Sequence, residues 1–302
     1  MATTQQNYIL TADPLSLDRI RSILNRLEDT IIFELIERAQ FAHNPKIYRR
    51  GEFEELQSIG FKGTWLEWFL KETESFHARP AKARRYTSPD EYPFTDPAEL
   101  PQPVLKGVEL PKILYPNKVN ANKSILSFYT RSIVPRITAH ATLALAAAKR
   151  AKGITGDDEY EDDGNYGSTA VLDVEVLGAI SKRVHYGKFV SESKFRADPA
   201  AFIPHILNPN RAALDALITK PEVERKLLQR LRKKAEVYAL NFSPEGEPSG
   251  DAGRKIDVDA IVELYEHYII PLTKEVEVDY LLVRLEGMSQ EEIEELATSK
   301  KA

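Results

Sequence analysis

Residues 168–195, STAVLDVEVLGAISKRVHYGKFVSESKF, decide how the rest of the chain is read. Apolar positions recur at spacings of three and four, so the stretch predicts one long helix from Ser168 to about Phe195. Wound at ~100° per residue, Leu172, Val176, Ala179, Arg183, Gly187, Val190 and Lys194 fall on one face. Five of those seven are small or apolar, which marks the stripe as buried. Arg183 and Lys194 lie ~20° apart around the axis and ~16 Å apart along it. Two long cationic side chains so placed can converge on one small anion over Gly187, which puts no side chain in the way. The bland account is that each pairs with a carboxylate across a helix contact.

The helical signal extends in both directions. Leu17, Ile20, Leu24, Leu27, Ile31 and Leu35 predict an amphipathic helix that Asp13-Pro14 or Ser16 can start. Residues 63–85 and 122–152 read as two more helices, the first running into basic residues. Between them, seven prolines from Pro89 to Pro116 make residues 86–122 an extended connector. An acidic loop, GITGDDEYEDDGNYG, precedes Ser168. Thr219-Pro221 opens a further helix, and Asp257 can cap a last one that Pro271 should bend. The expectation is an all-α chain, a single domain over 1–302 built as a bundle of about a dozen long helices.

With 302 residues, 42% hydrophobic and 29% charged, the chain can bury a sizeable core. A formal net charge of −5 and short basic runs give no reason to expect nucleic acid. The absence of cysteine excludes disulfides, thiolate zinc and thiol nucleophiles. Neither a secretory signal nor an apolar run of ~18 residues is visible, so the expectation is a cytosolic protein that spans no membrane. Phosphate-binding glycine loops, H-E-x-x-H and G-x-S-x-G are missing, and the acidic loop has Ala170 where a calcium loop needs a bidentate Glu. No metal or cofactor is expected.

Charges also sit near the apolar faces of other helices. Arg21 and Glu28 lie within ~40° of the Leu17–Leu35 stripe, while Arg26 points away. Glu224 falls inside the ~140° sector of Val223, Leu227, Leu228, Leu231, Ala235 and Tyr238. Thr273 and Glu277, four apart, are neighbours on one surface. An inward charge is costly unless paired. One cavity lined by Arg21, Arg183, Lys194, Glu224, Thr273 and Glu277 would satisfy these groups together, as would a set of separate ion pairs.

Five segments carry a family resemblance: IRSILNRLEDTIIFELIERAQF, RRYTSPDEYPF, NYGSTAVLDVEVLGAISKRVHYGKFVSESKF, RKKAEVYA and IIPLTKEVEVDYLLVRLE. In order, over roughly residues 15–286, the chain resembles the all-helical allosteric chorismate mutases of fungi and plants. The resemblance implies a homodimer with its active site inside a four-helix arrangement. The implied reaction is the Claisen rearrangement of chorismate to prephenate, on the route to phenylalanine and tyrosine, without cofactor or covalent intermediate. It assigns Arg21 and Arg183 to the substrate carboxylates with Thr273 assisting. Lys194 and Glu277 fall on the ether oxygen, Glu224 on the ring hydroxyl and Val190 beside the substrate. Glu277 must then be protonated to donate, which predicts higher activity toward acidic pH.

An effector site is implied at the dimer interface, with tryptophan activating and tyrosine inhibiting, on Arg84, Arg85, Asn165, Gly167 and Ser168. Free N–H groups at a helix start suit an effector carboxylate; equally, Ser168 could be a plain N-cap and Arg84-Arg85 a solvated pair. Three departures stand out. Val171-Leu172 replace the family's usual Thr-Arg, which weakens the case for tyrosine. Lys220 stands one turn before Glu224, where a small amide or acid is usual, and either alters contacts to the ring hydroxyl or points away. Residues 287–302 extend past the family's usual end. Two rival readings remain at this level: a protein of this fold without turnover, and an isomerase or lyase of another small dicarboxylate.

Overall fold

The computed structural model describes residues 13–78, 86, 88–104, 111–160, 162–241 and 254–298. Every regular element among them is helical. In chain order the α-helices are α1 (Leu17–Ala39), α2 (Glu54–Ser58), α3 (Trp65–Ala78), α4 (Asn122–Phe128), α5 (Val134–Ile137), α6 (Ala139–Ala151) and α7 (Tyr166–His185). They continue as α8 (Gly187–Ala197), α9 (Pro199–Leu207), α10 (Arg211–Ile218), α11 (Pro221–Tyr238), α12 (Val258–Leu264), α13 (Ile270–Leu282) and α14 (Gln290–Thr298).

The main core forms where α1, α7, α11, α12 and α13 turn their apolar faces together. Ile31, Ile32, Leu35, Val176, Leu177, Ile180, Leu231, Ile261 and Val276 are buried there. α7 is the central rod, packed against α1, α3, α4, α8 and α13. A second core joins Phe195, Phe202, Leu214, Ile218, Leu281 and Leu285 to Ile293 of α14. Gln290–Thr298, within the carboxy-terminal extension, is therefore a helix that closes this second core.

Two expected rods are broken. The 168–195 helix starts earlier, at Tyr166, and pauses at Tyr186 before resuming as α8. At the pause Phe189 N–H bonds the Tyr186 carbonyl three residues back, at 3.1 Å. The 122–152 helix stops at Thr138. Its first part and the last long helix share a device. A π-helical turn, Tyr129–Ile133 or Tyr265–Ile269, ends directly before Val134-Pro135 or Ile270-Pro271. Proline donates no hydrogen bond and crowds the carbonyl four residues back, and a widened turn relieves both problems. Asp257 does cap α12, accepting from Asp259 N–H at 2.9 Å.

Buried polar hubs lock the rods. Asp173 of α7 accepts from Arg38 Nε at 2.8 Å, Tyr129 Oη at 2.7 Å and Tyr48 Oη at 2.5 Å, with both charged side chains fully enclosed. Glu192 of α8 accepts from Tyr280 at 2.6 Å and from Arg284 at 2.7 and 3.1 Å. Burial opposes its charge, but Arg284, Tyr280 and Arg196 together hold it below the usual carboxylate range. The connector is strapped to the same rods. Ala121 N–H donates to His185 Nε2 at 2.9 Å, Lys188 Nζ donates to Asn117 Oδ1 at 3.0 Å, and Arg196 donates to the Ile113 carbonyl at 2.8 Å.

Removing one member of a buried pair leaves the other charge enclosed and unpaired, at a cost of about 3–5 kcal/mol. Asp173→Ala should therefore lower stability by that amount in urea denaturation followed by circular dichroism. A loss under ~1 kcal/mol would show that the hub does not hold α1 to α7.

Candidate active site

A cavity of about 220 Å³ opens between α1, the α7–α8 junction, the α10–α11 turn and α13. Arg21, Arg183, Val190, Lys194, Glu224, Thr273 and Glu277 all line it. Seven residues expected at one site, which the structure carries on five helices, thus share one hollow. Its volume is below the roughly 300–1,000 Å³ of sites for drug-sized ligands, so its guest is small.

The walls differ in depth. Arg183 is 5% exposed, its Nη1 3.5 Å from Thr273 Oγ1, and its Nε has no hydrogen-bond partner among the described residues. Thr273 Oγ1 in turn donates to the Ile269 carbonyl at 2.6 Å. Lys194 is half-buried and donates to the carbonyl of Ile218, the last residue of α10. Neither cation forms an ion pair with a carboxylate among the described residues, so the pairing account fails for the two residues that prompted it. It holds elsewhere. Glu28 is fully buried but lies outside the cavity, bound by Arg230 at 2.6 Å and Lys234 at 3.2 Å. Glu224 is paired with Lys274 at 2.8 Å. Arg21, expected to face inward, instead stands at the mouth with its side chain 68% exposed, 2.9 Å from Asp18.

Among the described residues that line the cavity, Glu277 is the buried acid. Burial lifts its carboxyl to a pKa of about 8, against the opposing pull of Lys194 and Arg183. It is therefore a neutral hydrogen-bond donor near pH 7. Burial also lowers the pKa of Lys194; Glu277 pulls it up, while Lys220 and Arg21 push it further down. Lys220 and Lys274 complete a rim that sequence reasoning reached only in part. Lys274 follows Thr273 by one residue, ~100° round the helix, so periodicity alone points it elsewhere. With Glu277 neutral, Lys274 bound to Glu224 and Arg21 bound to Asp18, three cations that line the hollow have no carboxylate partner among the described residues: Arg183, Lys194 and Lys220.

Gly187 has a different use from the one its spacing suggested. A Cβ there would meet Glu277 Cγ at 2.8 Å, Thr273 Cγ2 at 3.0 Å and the Thr273 carbonyl at 3.2 Å. The space over Gly187 is filled by α13, and the missing side chain lets α8 approach until both residues reach the cavity. A larger cavity of about 650 Å³ between α1, α3 and α7 has the wrong sign for an anion. Glu34, Glu74, Glu91 and Glu175 line it, and burial with the nearby Glu175 raises Glu34 to a pKa of about 7.

Of the positions assigned to an effector, Asn165, Gly167 and Ser168 are exposed at the start of α7. The helix begins at Tyr166 with Asn165 in the capping position, so Ser168 is not the N-cap. Arg84 and Arg85 lie outside the described residues. Val171, also exposed, stands one turn inside.

Gly187→Ala should cost about 1–3 kcal/mol through overpacking. Gly178→Ala, a helix position with nothing within 4 Å of the added methyl, should be neutral or stabilising by up to ~1 kcal/mol. Thermal melting of the two variants checks this. Equal behaviour would show that the close approach at Gly187 is not under steric constraint.

A family profile described as chorismate mutase type II matches residues 165–278. Chorismate mutase of Schizosaccharomyces pombe is 40% identical over 276 residues, covering 91% of this chain and 99% of that protein. The crystal structure of the chorismate mutase Aro7p from Candida albicans, complexed with L-Trp, superposes with a TM-score of 0.78 at 38% identity, covering 93% of this chain and 96% of the other. A structure of AtCM1 with tyrosine bound in its allosteric site gives 0.72 at 38% identity, covering 91% and 99%.

Proposed function

The chain belongs to the chorismate mutase family, and from that premise we propose that the cation-lined cavity is where it rearranges chorismate to prephenate. The enzyme is an isomerase. One ether carbon–oxygen bond breaks as one carbon–carbon bond forms, within a single molecule, so no atom enters or leaves. What such a reaction needs is a folded substrate and a site for the negative charge that gathers on the ether oxygen. The observation that carries the assignment is three cations with no counterion among the described residues, beside a neutral acid in a small hollow.

In this reading Arg183, with Thr273, holds one carboxylate, its planar fork suiting bidentate contact. Arg21 meets the second carboxylate from the mouth. Fixing both carboxylates holds the flexible substrate in its reactive fold. Lys194 and Glu277 donate to the ether oxygen, and Glu224 meets the ring hydroxyl. Donors aimed at charge that develops only in the transition state raise the rate rather than merely tighten binding. Val190 supplies an apolar wall.

Regulation by aromatic amino acids fits the exposed start of α7. Gly167 and Ser168 offer first-turn N–H groups there. We place that effector site at a homodimer interface, with tryptophan as activator. Tyrosine as inhibitor has less support, because Val171 has no hydroxyl to offer its phenol. A cytosolic location completes the proposal.

The direct test follows loss of chorismate absorbance with purified protein, and acid conversion of the product to phenylpyruvate, with and without tryptophan. Turnover is expected, and Lys194→Ala should cut kcat about a hundredfold. Chorismate that binds without conversion would instead make this a protein of the fold without the activity.

The state of Glu277 sets the pH profile. Below a pH of about 8 its carboxyl keeps the proton it donates; above, it loses the proton and the hydrogen bond. Activity should therefore fall as pH rises through about 8. Glu277→Gln, a donor at every pH, should remove that limb; an unchanged limb would take Glu277 out of this role.

A further inference from the structure

We propose that Lys220 is a substrate-contacting, specificity-determining residue that joins Arg21 in binding a carboxylate of the dianionic substrate at the cavity mouth. The inference rests on the chorismate reading of the cavity and adds a contact to it.

Lys220 is the residue just before α11, in extended backbone at φ −132° and ψ 100°, with Pro221 starting the helix. That placement fixes its Cα at the α10–α11 turn, beside Ile218, whose carbonyl receives Lys194. It is exposed and is among the residues that line the cavity. It makes no ion pair or hydrogen bond with any described residue, in contrast to the other rim cations. Arg21 is held by Asp18 and Lys274 by Glu224. Lys220 and Arg21 are the two cations that push the Lys194 ammonium toward its neutral form, so both stand within electrostatic reach of that tip.

An unpaired ammonium beside a second ammonium is unfavourable in the empty site, and an anion between them reverses the sign. Arg21 divides its guanidinium between Asp18 and the cavity, so it offers the substrate less than a full fork. Lys220 supplies the missing charge as a mobile point donor. It also screens Lys194 from Arg21 indirectly, by drawing a carboxylate into the space between the three. A lysine at the rim thereby favours dianions over monoanions of the same shape.

The test compares wild type, Lys220→Gln, Lys220→Arg and Lys220→Glu in the chorismate assay. Because Lys220 is exposed, circular dichroism and melting should be unchanged. A charge-assisted hydrogen bond of ordinary strength predicts KM raised about tenfold or more in the Gln variant, with kcat within about threefold. The Arg variant should restore KM to near wild type, and the Glu variant should raise it further than Gln. The rise of KM with ionic strength should also be shallower in Lys220→Gln than in wild type. A KM within twofold of wild type in both the Gln and Glu variants, with wild-type turnover intact, overturns the role of Lys220 and leaves the chorismate reading standing. A wild-type protein that leaves chorismate unchanged overturns both.

Discussion

Uncompensated positive charge at one place is the constraint around which the molecule is arranged. Arg183, Lys194 and Lys220 line a single hollow with no carboxylate partner among the described residues, while the inward charges of Asp173, Glu192 and Glu28 are matched. Like charges so close repel, and the deeper two also lose hydration. Such an arrangement persists only because the rest of the fold stabilises it. The enclosed Arg38–Asp173 and Arg284–Glu192 pairs fix α1 to α7, and α8 to the turn just after α13. Those rods carry Arg21, Arg183, Lys194, Thr273 and Glu277. The cavity is therefore held open by paired, hydrogen-bonded charge elsewhere in the core.

Contact between α8 and α13 then sets how these groups meet. Without a side chain at position 187, Thr273 and Glu277 come within van der Waals distance of the α8 backbone. That same closeness strips water from Glu277, which is why its carboxyl stays protonated although two cations stand nearby. Steric fit and protonation state thus share one cause. A wider crossing would admit water, ionise the acid, and turn a hydrogen-bond donor into a counterion for Lys194.

Much of this was legible from residue spacing, because a helix converts sequence separation into direction with little ambiguity. The all-helical class, the buried Arg183, the Thr273–Glu277 pair and the cap at Asp257 all followed from that conversion. What failed were inferences about distance and continuity. The pause at Tyr186 and the stop at Thr138 leave hydrophobic periodicity almost intact, so no pattern announces them. Glu28 and Arg21 sit at similar angles on α1, yet one is fully buried against Arg230 and the other stands in solvent beside Asp18. Angle says which face a side chain leaves from. Which neighbour arrives there depends on the packing of distant segments. Gly187 shows the same limit, since its small size was visible and its occupant was not. The positions at the start of α7 that the resemblance assigns to an effector were reached only through family likeness, and Asn165, Gly167 and Ser168 stand exposed.

Depth within the cavity divides the work among like charges. At 4 Å two unit charges interact by about 1 kcal/mol in water and about 4 kcal/mol at an effective dielectric of 20. In the proposed reading Arg21 and Lys220, at the wet rim, work near the first value, where attraction acts on capture and on KM. Arg183 and Lys194, further in, work near the second, where a small growth of charge on the bound molecule is met by a large response. Glu277 adds a donor there without adding negative charge, so it does not weaken Lys194 as an ionised carboxylate would. For the proposed reaction, a cationic rim that draws a dianion inward and a drier interior that responds to charge redistribution would follow from one geometry, the graded exposure of Arg21, Lys220, Lys194 and Arg183 around a single small volume.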